Sequence, residues 1–374
     1  GPVIDDRMKM RSEHGIISRL RSSTRFRYFA ASLDDALPQP AGSSTAAKYE
    51  KQEPAMPRFK ALITDYAWPD VEIERAVLAA GDCELVVADK TDAESLAKFA
   101  APCDAILTNW AKVPASVIAA APKCRIVSRL GIGLDNIDVA YCTEHEIPVT
   151  NVPDYCLIEV AEHALALMYA LARKVAFYHW ETKSGRYDLQ AGPKLRRMEG
   201  RTLGLVGFGA IGRVMAKKAL ALGLKVVAHS RSRSGALPGV EFRDLPDLLR
   251  ESDYVSLHVP STPQTKHLIG AAELARMKPT AYLINTARGA VVDEAALAAA
   301  LTQGRLAGAA LDVQQREPCD LSQPPFNDPR VIVTPHAAFV SEESLADLRR
   351  RTAQQVVDRL HGRVPPNVVN PSVL

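Results

Sequence analysis

The chain has 374 residues, enough for two domains with separate cores. A net charge of +3 is too small for an electrostatic nucleic-acid binder, and no apolar run reaches the roughly 18 residues that span a membrane. The six cysteines, at 83, 103, 124, 142, 156 and 319, form no C-x-x-C pair; that pattern predicts reduced, mostly buried thiols rather than a disulfide framework or a metal site.

Residues 7–33 hold seven Lys/Arg against one acid, Glu13, the composition of a mitochondrial transit peptide. Residues 36–57 are rich in Pro, Ala, Ser and Gly and read as linker. The segment 1–56 is thus a targeting segment or a disordered extension. Under the first reading the protein goes to the mitochondrial matrix, and under the second it is cytoplasmic. Beyond Pro57, short β-branched runs alternate with helical patterns. FKALITD, CELVVAD, CDAILTN, CRIVSRL and IPVTNV are predicted strands, separated by helices such as VEIERAVLAAG and PASVIAAAP. One long apolar helix is predicted from about Cys156 to Trp180. A second series follows, with strands TLGLVGF, LKVVAHS, YVSLHVP, AYLINTA, GAALDV and VIVTPH. Such alternation predicts an α/β chain of two doubly wound parallel sheets. The tail after His336 carries a helix and no strand, so it is expected to return to the first domain. That gives a discontinuous domain of residues 57–154 and 337–374, a second domain of residues 155–336, and a cleft between them.

GLVGFGAIG places Gly207, Gly209 and Gly212 between a strand and a helix, with Ala210 and Ile211 opening that helix. The spacing suits a dinucleotide: Gly207 for the tight turn, Gly209 for close approach to the pyrophosphate, Gly212 for helix–strand packing. The helix N-terminus then faces the phosphates. The next strand, LKVVAHS, ends at Ser230, where an NAD site would carry an acid for the ribose hydroxyls. Serine does not repel a 2′-phosphate, and Arg231 and Arg233 can bind one. NADP(H) is therefore expected over NAD(H), which remains possible.

Three motifs follow at predicted strand ends, where ligands bind in open α/β sheets. INTARG carries Thr286 and Arg288, LDVQQREP carries Asp312 and Glu317, and VIVTPH carries His336. A cation, an acid and a histidine together can reduce a 2-oxo acid. Arg288 would bind its carboxylate and polarise its keto oxygen. His336 would donate a proton as hydride arrives, and Glu317 would favour and orient the charged imidazole.

With RLGIGLDNIDV, NVPDYCLIEVAEHALAL and HVPSTPQTKHLI, these motifs make the chain resemble the D-isomer-specific 2-hydroxyacid dehydrogenases from Pro57 to Leu374. It is most similar to the branch of C-terminal-binding proteins and phosphoglycerate-dehydrogenase-like enzymes. The resemblance implies a flavodoxin-like substrate domain beside a Rossmann cofactor domain, with Arg288, Glu317 and His336 as the catalytic trio. It implies that Asp312 lies beside the nicotinamide carboxamide, and that Thr286 belongs with the cofactor residues. The backbone N–H groups of Ile132 and Gly133 would hold the substrate carboxylate, with Arg129 as a second cation. Trp110 and Phe339 would line the substrate pocket, and Val259, Pro260 and Thr265 the adenosine side. Two departures stand out: Ser230 replaces the acid of most members of this branch, and Phe339 stands where the corepressor-like proteins carry tryptophan.

The leading expectation is an NADP(H)-preferring reductase of small 2-oxo acids, of the glyoxylate or hydroxypyruvate kind. The rivals are an NAD-dependent phosphoglycerate dehydrogenase and a nucleotide-sensing, corepressor-like binding protein. Phosphoglycerate dehydrogenases often carry a further regulatory domain, and this chain ends 38 residues after His336. Glu317 argues against a formate dehydrogenase, which pairs its histidine with glutamine. The segment LIEVAEHALALMYALARKV has so little charge that a homodimer packed through it is expected.

Overall fold

A computed structural model describes residues 57–232 and 235–374. The calls on residues 1–56 and on Arg233 lie outside the described residues. The first sheet is formed by β1 (Phe59–Ile63), β2 (Cys83–Val87), β3 (Ala105–Thr108), β4 (Val127–Arg129) and β5 (Val149–Thr150). All pairings are parallel and the order is β2-β1-β3-β4-β5, the flavodoxin-like arrangement. The second sheet holds β6 (Thr202–Val206), β7 (Lys225–His229), β8 (Val240–Phe242), β9 (Tyr254–Leu257), β10 (Tyr282–Asn285), β11 (Gly308–Leu311) and β12 (Val331–Val333). It is also parallel, in the order β12-β11-β10-β9-β6-β7-β8. Counted from β6 as the first strand, this is the Rossmann order extended by a seventh strand.

The central strands β3, β9 and β11 are buried at every position. Helices cover both faces of a parallel sheet, so its strands read as continuous apolar runs. β8 was not among the predicted strands. It is three residues long, VEF, with no buried position, so neither length nor pattern marks it.

The helix Glu342–Leu360 packs on the helix Glu72–Ala80 and on β3 and β4, and Thr150 bridges to Val368. Across this packing Arg349 is buried and forms a double hydrogen bond to the Glu74 carboxylate, itself buried, and reaches Asp70. A charge pair this deep needs such full hydrogen bonding to offset lost hydration.

The predicted long helix is two helices, Leu157–Arg173 and Val175–Lys183. The break is Lys174, whose φ of +56° is left-handed and ends the first helix. The apolar face of Leu157–Arg173 is covered within the chain by the helix Ala210–Ala221 and by β10 and β11. Its low charge therefore does not itself require a second copy. Ile158 on this helix is left exposed, as are Val175, Trp180, Tyr187 and Leu189 beyond it. None of the six cysteines is in a disulfide, and four are buried. No helix among the described residues is long and apolar enough to cross a membrane.

Candidate active site

Gly207 follows β6 with φ +103°. A Cβ there would sit 2.5 Å from the His258 carbonyl oxygen, so only glycine fits. A Cβ on Gly212 would strike the Gly207 carbonyl, whereas above Gly209 nothing lies within 4 Å. The turn is therefore closed on its protein side and open where the helix Ala210–Ala221 begins, which suits a pyrophosphate. At the end of β10 the Thr286 hydroxyl is buried with no partner, and a bound cofactor could supply one. Val259 packs 3.0 Å from the Gly207 Cβ position. The Thr265 hydroxyl donates to the Pro260 carbonyl at 2.6 Å and so shapes its own loop. Ser230 closes β7 and is half-buried, and Arg231 beside it is exposed. These residues fit a nicotinamide dinucleotide.

The loops after β10, β11 and β12 meet at one place. Nδ1 of His336 lies 2.8 Å from Oε2 of Glu317. The Gln314 backbone N–H donates to the other Glu317 oxygen at 3.0 Å. Burial pushes the Glu317 carboxyl up, but His336, Gln314 and Arg288 together hold it below its ordinary value. An ionised carboxylate only accepts, so Nδ1 carries the proton and Nε2 is the imidazole atom left for chemistry. The His336 backbone has φ +54°, uncommon without glycine, and its N–H is fixed on the Asp312 carbonyl at 2.8 Å.

Asp312, expected beside the nicotinamide carboxamide, is held by the protein around it. Its side chain is buried and already taken by four donors: Thr334 Oγ1 at 2.6 Å, the Ala337 and Ala338 N–H groups at 2.9 Å each, and His163 Nε2 at 3.4 Å. Burial alone would raise its pKa; His163, Thr334 and the two amides bring it down to about 2. The carboxylate thus braces the turn that carries His336. His163 and Thr334 were not singled out in the sequence, because only the fold brings helix Leu157–Arg173 against that turn.

Arg288 leaves β10 in a turn pinned by Asn285, whose Nδ2 donates to the Arg288 carbonyl at 3.0 Å. Its Nε pairs with Asp135 at 3.1 Å, and Nη1 donates to the Ala287 carbonyl. Nη2 is left over Gly133, where a Cβ would collide with it. The backbone N–H groups of Ile132 and Gly133 find no acceptor among the described residues. Two free amides and one free guanidinium edge are the recognition elements of a carboxylate. Arg129 lies buried beneath this loop, its Nε without a partner. Burial lowers its pKa to about 10, which leaves it cationic at neutral pH.

Aromatic rings close the site. Trp110, from the first domain, lies 6.1 Å from the His336 ring and 6.5 Å from Phe339. Tyr155, which the sequence reading missed, is 6.3 Å from Phe339. Asp65 holds the Trp110 loop by accepting the Asn109 and Trp110 backbone N–H groups at 3.0 and 2.7 Å. The assembly offers donors for a carboxylate and an oriented imidazole, with aromatic rings beside them.

Residues 165–338 match the model of the D-isomer specific 2-hydroxyacid dehydrogenase, NAD binding domain. The chain is 40% identical over 294 residues to a glyoxylate reductase of Aeropyrum pernix, covering 75% of this chain and 87% of that one. The protein belongs to the D-isomer specific 2-hydroxyacid dehydrogenase family. A hydroxypyruvate reductase of Thermotoga maritima is 35% identical over 308 residues, 82% of this chain and 98% of that one. The crystal structure of an NADPH-dependent glyoxylate/hydroxypyruvate reductase of Sinorhizobium meliloti, in complex with NADP and malonate, superposes with a TM-score of 0.76. It is 28% identical and covers 85% of this chain and 98% of that one. As a D-2-hydroxyacid dehydrogenase, the protein is an oxidoreductase that acts on CH–OH donors with a nicotinamide cofactor.

Proposed function

We propose that this dehydrogenase reduces small 2-oxo acids of the glyoxylate or hydroxypyruvate kind and prefers NADP(H) to NAD(H). The observation that carries the substrate reading is the set of unpaired donors at Ile132, Gly133 and Arg288 Nη2, opposite the His336–Glu317 pair. The substrate carboxylate binds the two amides and the free edge of Arg288, with buried Arg129 adding positive potential. Bound nicotinamide supplies the hydride. His336 Nε2 gives a proton to the keto oxygen and takes it back in the oxidative direction. Glu317 holds the imidazole in the required tautomer and offsets its charge. Trp110, Phe339 and Tyr155 favour a compact 2-substituent. Asp312 acts here as a positioning residue for the His336 turn. Gly207, Gly209, Ala210, Ile211 and Gly212 receive the pyrophosphate, and Val259, Pro260 and Thr265 border the adenosine.

The cofactor preference rests on Ser230. With no carboxylate at the end of β7, nothing there repels a 2′-phosphate, and Arg231 is at hand. The related Sinorhizobium reductase is NADPH-dependent, in keeping with this reading. Reduced nicotinamide absorbance, followed with glyoxylate and hydroxypyruvate under NADPH and NADH in parallel, tests both halves. A higher kcat/KM with NADPH is expected. Preference for NADH would remove the phosphate cradle, and no turnover with any 2-oxo acid would favour a nucleotide-sensing binding role.

A homodimer through residues 175–189 is part of the proposal, since Val175, Trp180, Tyr187 and Leu189 are exposed together in sequence. Light scattering at micromolar protein should give twice the chain mass; a monomer refutes this. We place the protein in the cytoplasm, where its unpaired thiols stay reduced.

A further inference from the structure

The far edge of the seven-stranded sheet, where strands begin rather than end, holds a cavity of about 420 Å3. The starts of β6, β9 and β10 and the approaches to β11 and β12 form its wall, through Arg201, Tyr254, Tyr282, Leu306 and Arg330. Lys174, between the two helices, and Lys194 and Arg196, in the segment before β6, complete it. It lies across the sheet from the dinucleotide turn and shares no residue with the catalytic cleft.

Its charges are unbalanced. Five cations line it against one acid, Asp253. Arg330 is matched by a double hydrogen bond to Asp328, at 2.9 and 2.6 Å. Asp253 is shared between Lys278 at 3.1 Å and Arg201 at 3.7 Å. Lys174, Lys194 and Arg196 have no carboxylate partner among the described residues. The helix Leu157–Arg173 ends here and brings a partial negative charge of about one half, less than one lysine supplies.

Lys174 is the unusual member. It is 7% exposed, and its ammonium contacts the Tyr282 ring at 4.8 Å with no hydrogen-bond acceptor. Its backbone is also left-handed, a position where a helix normally ends in glycine. An anion in the cavity would give this ammonium a hydrogen-bond acceptor. Burial, with Arg330 adding to it, lowers the Lys174 pKa, and a bound anion would reverse that.

We propose that this cavity is a second ligand site, distinct from the catalytic cleft, for a small phosphomonoester with a flat apolar body. Three uncompensated cations suit a dianion better than a single carboxylate, and Arg196 can fork onto two phosphate oxygens. The stacked Tyr254 and Tyr282 rings, 5.9 Å apart and 12° from parallel, with Leu306 and Ala307, give the apolar surface. The volume is that of a small-molecule site.

The test is calorimetric titration of the full chain with inorganic phosphate, phenyl phosphate and benzoate, at low and high salt. Phenyl phosphate should bind most tightly, and its affinity should fall as salt rises. Lys174→Gly and Arg196→Gln should each weaken it about tenfold. Glycine suits the left-handed backbone, so Lys174→Gly should keep or raise its Tm and separate lost binding from lost folding. His336→Gln and Ser230→Asp should leave the affinity unchanged, which distinguishes this site from the cleft. Absence of heat with all three probes, or binding that survives both Lys174→Gly and Arg196→Gln, overturns the site. Equal affinity for inorganic and phenyl phosphate overturns its apolar half.

Discussion

At the C-terminal edge of the seven-stranded sheet, the loops hold conformations and groups that the protein alone leaves unsatisfied. Gly207 and His336 have positive φ, and the Thr286 hydroxyl is buried without a partner. At the N-terminal edge, most polar groups are matched. Asp253 accepts the Thr202 N–H and two cations, and Asp328 forks onto Arg330. The same strands thus carry a strained, donor-rich rim at one end and, at the other, a rim where Asp253 and Asp328 pair the cations at the strand starts and leave three neighbouring cations unpaired. Strain and unmet donors persist where a ligand relieves them and the surroundings enforce them. By that standard Lys174, Lys194 and Arg196 are the exceptions on that rim.

The contrast predicts that changes on the first rim act on turnover and those on the second act on stability or anion binding. The largest effect belongs to His336→Gln, which should lower kcat by about 10²–10⁴-fold with little change in Tm. Retention of most activity in that variant would remove His336 from the chemistry. Asp312→Asn should act on both properties, since it places an amide N–H against donors. A cost of about 1–3 kcal/mol is expected, read as a Tm lower by several degrees, with kcat reduced because the His336 turn loosens. The wild-type carboxyl titrates at about 2 in place of the ordinary 3.8. Its share of stability, on the order of 2 kcal/mol, is therefore complete above about pH 4 and lost as the pH falls towards 2. Urea unfolding of the wild type across that window should show this loss, and the Asn variant should lack it. Ser230→Asp should cut the NADPH to NADH ratio of kcat/KM by about tenfold, about 1.4 kcal/mol. An unchanged ratio would mean that the β7 loop does not meet the ribose. The smallest effect is on folding: Lys174→Gly should raise stability by up to about 1 kcal/mol by relieving a left-handed lysine.

Much of this was legible in the sequence, for identifiable reasons. Parallel strands buried on both faces print as apolar runs, so eleven of the twelve strands could be placed, and β8, short and unburied, could not. The glycine turn is legible because Gly207 and Gly212 leave no room for a Cβ. Arg288, Glu317 and His336 stand just beyond successive strand ends, where any parallel sheet gathers its loops. What could not be read depends on neighbours. The low charge of Leu157–Arg173 pointed to an intermolecular face, and the sequence could not show that the helix Ala210–Ala221 packs on one side of it. That Asp312 also braces the His336 turn could not be read, because His163, which contacts it, comes from 149 residues earlier. The basic cavity is assembled from residues between 172 and 330 that have no common motif.

The chain crosses between its two sheets twice, and both crossings pass through one small cluster. Cys156 and Val160 from the first crossing pack with Ala338 from the second, beside Ile132, Tyr155 and Phe339. Topologically the seven-stranded unit is an insertion whose ends meet side by side, so the cluster is a single axle rather than two independent hinges. The axle lies beside the reacting groups: Phe339, packed against it, is 6.0 Å from the His336 ring.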